Sequence, residues 1–150
     1  MKKITFLFLL ISCIGFAQVT TTPAIPLAEG AVTINFDKAG TPLATTTAIY
    51  AHIGLTVDGT RWSNVKGTWR TTNAPLLTLV SGTKYKLELT PDLYTYFGVA
   101  TSSAITEICL VLRNAAGTAQ TSPDIFIKVG AFQSTLITPA QNSTSIINSG

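Results

Sequence analysis

The chain reads as an all-β protein: a β-sandwich of about seven short strands with one short helix. Three observations predict this. Polarity is carried by hydroxyls, with 25 Thr against 7 Asp plus Glu, and the branched Cβ of Thr suits a pleated strand better than a helix. Charged residues make up only 11%, well below the roughly 25% of ordinary soluble domains. Turn-forming clusters recur between short apolar stretches over residues 31–130, the rhythm of a sandwich. At 46% hydrophobic the chain is not wholly disordered, and its 150 residues suit one domain.

The elements follow in order. Residues 18–30 are rich in Thr and Pro and lack periodicity, so they read as a tether or a leading edge strand. Residues 32–36 alternate apolar and polar, the period of a half-buried strand. Asp37 to Pro42 carry turn chemistry. Residues 49–57 form the next strand, with Tyr50 and His52 sharing one face. Asp58-Gly59 is a strong hairpin signal, and residues 61–69 return as the partner.

Two further strands fall near residues 76–80 and 85–89, joined by a turn at Ser81-Gly82-Thr83. A short helix is predicted near residues 91–97. Thr90 is placed to cap it, Pro91 suits its first position, and Asp92 faces the positive end of the dipole. Leu93, Tyr96 and Phe97 fall on one helical face, and Gly98 can end the helix in the left-handed conformation. Residues 105–112 are the most apolar strand and belong in a sheet interior. Asn114 to Gly117 turn the chain, and residues 124–129 complete the set. Residues 131–150 read as a linker into a further domain.

The first 17 residues read as a secretory signal peptide: Lys2 and Lys3, an apolar run from Ile4 to Phe16, then Ala17. The run is too short for the roughly 20 residues of a membrane-spanning helix. Cleavage after Ala17 leaves Gln18 first. Leu10-Ile11-Ser12-Cys13 also fits a lipoprotein processing site, the minor alternative. Either way the protein is expected outside the cytoplasm, secreted or at the cell surface.

Without the signal, eight Lys plus Arg face seven Asp plus Glu, and the net charge falls from +3 to +1. The remaining basic residues are dispersed, which excludes the clustered basic surface that nucleic acid requires. Cys109 then stands alone in an apolar run, so no internal disulfide is expected and the thiol reads as buried and inert.

No catalytic constellation is expected in this segment. There is one His, His52, and no G-x-S-x-G nucleophile elbow. A zinc site needs more His and Cys ligands than remain. No phosphate loop or dinucleotide fingerprint occurs, so no cofactor is expected. Asp37 and Asp58 lie in turns but lack a full calcium-loop pattern.

The most informative stretch is residues 49–70, which holds both tryptophans. Trp62 follows a tight turn among Arg61, Ser63 and Asn64, polar company that suits an exposed ring. A flat ring offers an apolar face to the C–H face of a sugar, and nearby polar groups can bond its hydroxyls. The competing reading has Trp62 and Trp69 as packing aromatics of the hairpin and core.

Segments Asn35 to Leu43, Tyr50-Ala51-His52-Ile53-Gly54, Arg61 to Trp69, Leu89 to Leu93 with Phe97-Gly98-Val99, Leu110 to Gly117 and Asp124 to Ile127 together resemble an immunoglobulin-like domain of exported Bacteroidetes proteins. The resemblance covers about residues 31–130 and implies an immunoglobulin-like β-sandwich. Such domains commonly precede α-amylase-type glycosidase domains or sit in multidomain surface proteins. The Tyr-x-His strand and the Trp hairpin are similar to starch-binding modules. Carried over by position, the carbohydrate-binding residues would be Trp62, His52, Tyr50, Lys66 and Trp69. The expected partners are a neutral polysaccharide, an α-glucan by resemblance, and a downstream domain of the same polypeptide. The alternative is a structural spacer with no ligand.

Overall fold

The computed structural model describes residues 18–131. The signal segment, Cys13 and residues 132–150 of the linker lie outside the described residues.

Among the described residues, eight strands form two four-stranded antiparallel sheets, accompanied by one helix. The strands are β1 (Val19–Thr22), β2 (Val32–Asp37), β3 (Tyr50–Val57), β4 (Thr60–Lys66), β5 (Thr78–Ser81), β6 (Lys84–Leu89), β7 (Ile105–Arg113) and β8 (Ile125–Lys128), with α1 at Leu93–Phe97 between β6 and β7. The first sheet runs β1-β2-β6-β5 and the second β4-β3-β7-β8. The chain crosses between sheets after β2, β4 and β6. This is the immunoglobulin order, with one extra strand on the edge of the second sheet.

The strand expected around residues 32–36 and the central position of residues 105–112 are as predicted; β7 lies between β3 and β8. The eighth strand is β1, within the Thr/Pro-rich segment, so the leading edge strand is the form this segment takes. It pairs with β2 from Val19 opposite Phe36 to Thr22 opposite Thr33.

The core follows from alternation. In the first sheet Val32, Ile34 and Phe36 stand opposite Leu89, Leu87 and Tyr85, and all six are buried. In the second, Ala51, Ile53 and Leu55 stand opposite Leu112, Leu110 and Ile108, again all buried. These two inward faces form one cluster, closed by Leu43, Ile49, Leu77, Leu93 and Phe97. Each large side chain so removed from water contributes about 1.5–3 kcal/mol.

The β3–β4 turn is the two-residue hairpin that Asp58-Gly59 announces. Both residues have positive φ, 48° and 82°, which matches the strand twist. Asp58 Oδ1 also accepts the Ala104 N–H at 2.8 Å, tying the turn to the start of β7.

The helix differs at its start. Asp92, not Thr90, is the N-cap: its Oδ1 accepts the Thr95 N–H at 2.7 Å and its Oδ2 the Thr95 hydroxyl at 2.9 Å. A carboxylate two residues closer to the helix reaches the free N–H groups that Thr90 cannot. Gly98 ends the helix at φ 70°, as the sequence predicts, and Leu93 and Phe97 plug the sandwich. Among the described residues no helix is long and apolar enough to cross a membrane.

Candidate functional site

The alternation that buries Ala51, Ile53 and Leu55 turns Tyr50, His52, Gly54 and Thr56 of β3 to the outward face of the second sheet. The register sets Arg113, Val111, Cys109 and Glu107 of β7 beside them in that order. On β8, Phe126 joins the Gly54–Cys109 row and Lys128 the Thr56–Glu107 row. The face is therefore a grid of four rows.

Gly54 leaves a gap in this grid, and β4 leans into it. The β3–β4 ladder shifts register twice. Trp62 and Asn64 adopt left-handed backbone, with φ of 57° and 53°. For a bulky residue such as Trp this conformation costs on the order of 1–3 kcal/mol and persists only where its surroundings enforce it. Trp62 stands beside His52, ring centroids 5.2 Å apart and planes tilted by 31°. Its other neighbour is Phe126, edge-on at 6.3 Å. Trp62 is half-buried and outside the inter-sheet core.

Trp69 lies beyond β4, in the loop of residues 67–73, and not on the returning strand. The loop is compact. Gly67 turns it at φ 78°, Thr68 N–H donates to Asn73 O at 2.7 Å, and the Thr71 hydroxyl donates to Thr68 O at 3.0 Å. Trp69 meets His52 edge-on at 4.8 Å. His52 is thus packed against both tryptophans.

Arg113 fastens this loop. It is fully buried at the end of β7. Its Nη1 donates to Asn114 O and Ala115 O at 2.9 and 3.1 Å, and its Nη2 to Thr68 O and Thr71 O at 3.1 and 3.0 Å. The guanidinium also lies 5.4 Å from the Trp69 ring centre and 5.8 Å from that of Tyr50. Among the described residues no carboxylate pairs with it. Carbonyl dipoles and aromatic faces take that role.

The electrostatics follow from this packing. Burial pushes the His52 pKa below its ordinary 6.5; the nearby Arg113 charge lowers it further, and Asp124 opposes. The imidazole is therefore mainly neutral at pH 7, and its buried Nδ1 has no hydrogen-bond partner among the described residues. Farther along the grid, Arg61 holds Glu107 with Nε at 3.0 Å and Nη2 at 3.2 Å. That bond, with a second from Thr56, keeps the Glu107 carboxyl below its usual range. The Arg61 guanidinium lies 4.0 Å from the Phe126 ring centre.

Of the five residues singled out from the sequence, four come together: Tyr50, His52, Trp62 and Trp69. Lys66 stands opposite Ile53 in the ladder, a position on the core side of the edge strand. Phe126 and Arg113 were not singled out. Alternation along residues 124–129 carries the signal for Phe126. Arg113 follows directly on the apolar run, where a charge reads as a strand end.

Chemically, the arrangement is a shallow aromatic surface. Cys109 is buried, its Sγ 3.5 Å from Thr56 Oγ1. Among the described residues no three His, Cys, Asp or Glu side chains cluster as metal ligands. Half-exposed rings at fixed orientation suit stacking. No protein-family model matches the chain, and no curated protein matches it.

Proposed function

We propose that this chain is a non-catalytic, exported carbohydrate-binding domain that holds a neutral polysaccharide against the outward face of the second sheet. One observation carries the reading: Trp62 is held half-buried, in a costly left-handed backbone, beside His52 and Phe126, with Trp69 packed against the same imidazole. Backbone strain of this kind concentrates where a side chain has a task. The exposed part of the indole stacks on the C–H face of a sugar ring, and the neighbouring polar groups bond its hydroxyls. The α-glucan class rests on the resemblance of the Tyr50-x-His52 strand and the Trp hairpin to starch-binding modules. Export rests on Lys2, Lys3, the apolar run and Ala17.

A second reading, a spacer with no ligand, draws on the same contacts: His52 packs against both tryptophans, as it would in a self-sufficient cluster. Native electrophoresis through amylopectin separates the two. A binder is retarded, and Trp62→Ala restores the mobility seen without polysaccharide while leaving the circular dichroism unchanged. Equal mobility with and without amylopectin, glycogen or pullulan leaves the spacer.

A further inference from the structure

Resting on the carbohydrate-binding reading, we propose that the cleft beside Arg61 is a second subsite, which takes further units of the same glucan chain and makes the domain prefer long chains to short ones. The cleft has a volume of about 520 Å³ and is lined by Thr56, Arg61, Thr106, Glu107 and Lys128 among others. It is contiguous with the aromatic surface. The row of Thr56, Glu107 and Lys128 follows that of Gly54, Cys109 and Phe126, roughly 7 Å farther along strands that rise about 3.3 Å per residue. Arg61 is the joint. Its guanidinium covers Phe126 at 4.0 Å while it grips Glu107 at 3.0 and 3.2 Å.

The lining is preset for hydroxyls. Arg61 from β4 and Thr56 from β3 fix the Glu107 carboxylate, with Thr56 Oγ1 at 2.9 Å from Oε2. Three hydrogen bonds occupy that carboxylate, which has about four acceptor sites, and Arg61 uses two of its five donors. Lys128 is exposed and forms no ion pair among the described residues. A sugar hydroxyl both donates and accepts, so acceptor and donors fixed side by side suit it. Another cleft, about 310 Å³ between Pro42 and Asp124, offers less. Its Thr41 and Thr121 hydroxyls are already committed to Lys38 O, Leu43 N and Leu112 N.

Calorimetric titration of the purified protein with maltotriose and maltoheptaose tests this. The heptaose is expected to bind roughly tenfold more tightly, the worth of one charge-assisted hydrogen bond. Lys128→Ala and Arg61→Ala should each remove most of that gain. Any gain from overlapping binding registers is common to wild type and variants, so the difference between them is decisive. Equal affinity for the two lengths, or a gain unchanged in both variants, overturns the subsite and leaves the aromatic surface standing. Failure of both sugars to bind overturns the subsite and the carbohydrate reading together.

Discussion

The carbonyl oxygen of Ser63 occupies the space in which any residue other than glycine at position 54 would carry its β-carbon, 2.9 Å from where that atom would sit. Val65 Cγ2 is nearly as close, at 3.0 Å. The approach of β4 to β3, and with it the seat of Trp62, depends on this missing side chain. Gly54→Ala should therefore push β4 outwards. We expect destabilisation of about 1–3 kcal/mol, the usual cost of overpacking, read as a fall in Tm of at least about 4 °C. An unchanged Tm would show that β4 can yield freely.

Arg113 should tolerate neither loss nor shortening. Arg113→Met leaves the carbonyls of Thr71 and Ala115 without their donor and takes one of two donors from those of Thr68 and Asn114. Arg113→Lys keeps the charge but not the planar fork that reaches two loops at once. We expect a loss of about 3 kcal/mol or more for Met, and a smaller but clear loss for Lys. Denaturant titration followed by tryptophan emission is the right readout, because Trp69 shares the site.

His52 sets a pH dependence. Its folded pKa lies below 6.5 because burial, then the Arg113 charge, disfavours the imidazolium. Between the folded value and 6.5 the unfolded chain binds the additional proton, so stability rises with pH in that window. It is fully present above about 6.5 and lost as pH falls through the folded value. His52→Gln should flatten the Tm profile between pH 6.5 and the onset of carboxylate titration. The fall at lower pH, where protonation removes a Glu107 carboxylate that Arg61 and Thr56 hold below its ordinary 4.5, should survive that substitution.

The helix start offers a sharper local test. Asp92→Ala removes two bonds to Thr95 and should cost about 1 kcal/mol. Thr90→Ala should stay within about 0.5 kcal/mol, the range of ordinary surface changes. Equal costs measured by thermal unfolding would contradict the capping geometry.

These residues also mark how far the sequence could be read. Period-two alternation was enough to place Ile53 inward and His52 outward, because a strand offers only two faces. Gly98 and Asp58-Gly59 were legible because left-handed backbone has strong residue preferences. Trp62 was not, since nothing in Arg61-Trp62-Ser63 announces positive φ; the cause lies across the ladder, in the gap at Gly54. Sequence pattern places Trp69 on the returning strand and misses its loop, because that loop is held by Arg113, a residue 44 positions later in the chain. Long-range hydrogen bonds of that kind leave no local pattern.

The two left-handed residues of β4 have a further consequence, for the open edge of the sheet. A regular edge strand displays a row of free N–H and C=O groups that a neighbouring molecule can extend. Trp62 and Asn64 turn the backbone out of that row twice within seven residues. The strand that presents the aromatic surface is thus a poor template for intermolecular sheet growth. Copies of this domain can crowd together, edge towards edge, without zipping into an aggregate along β4.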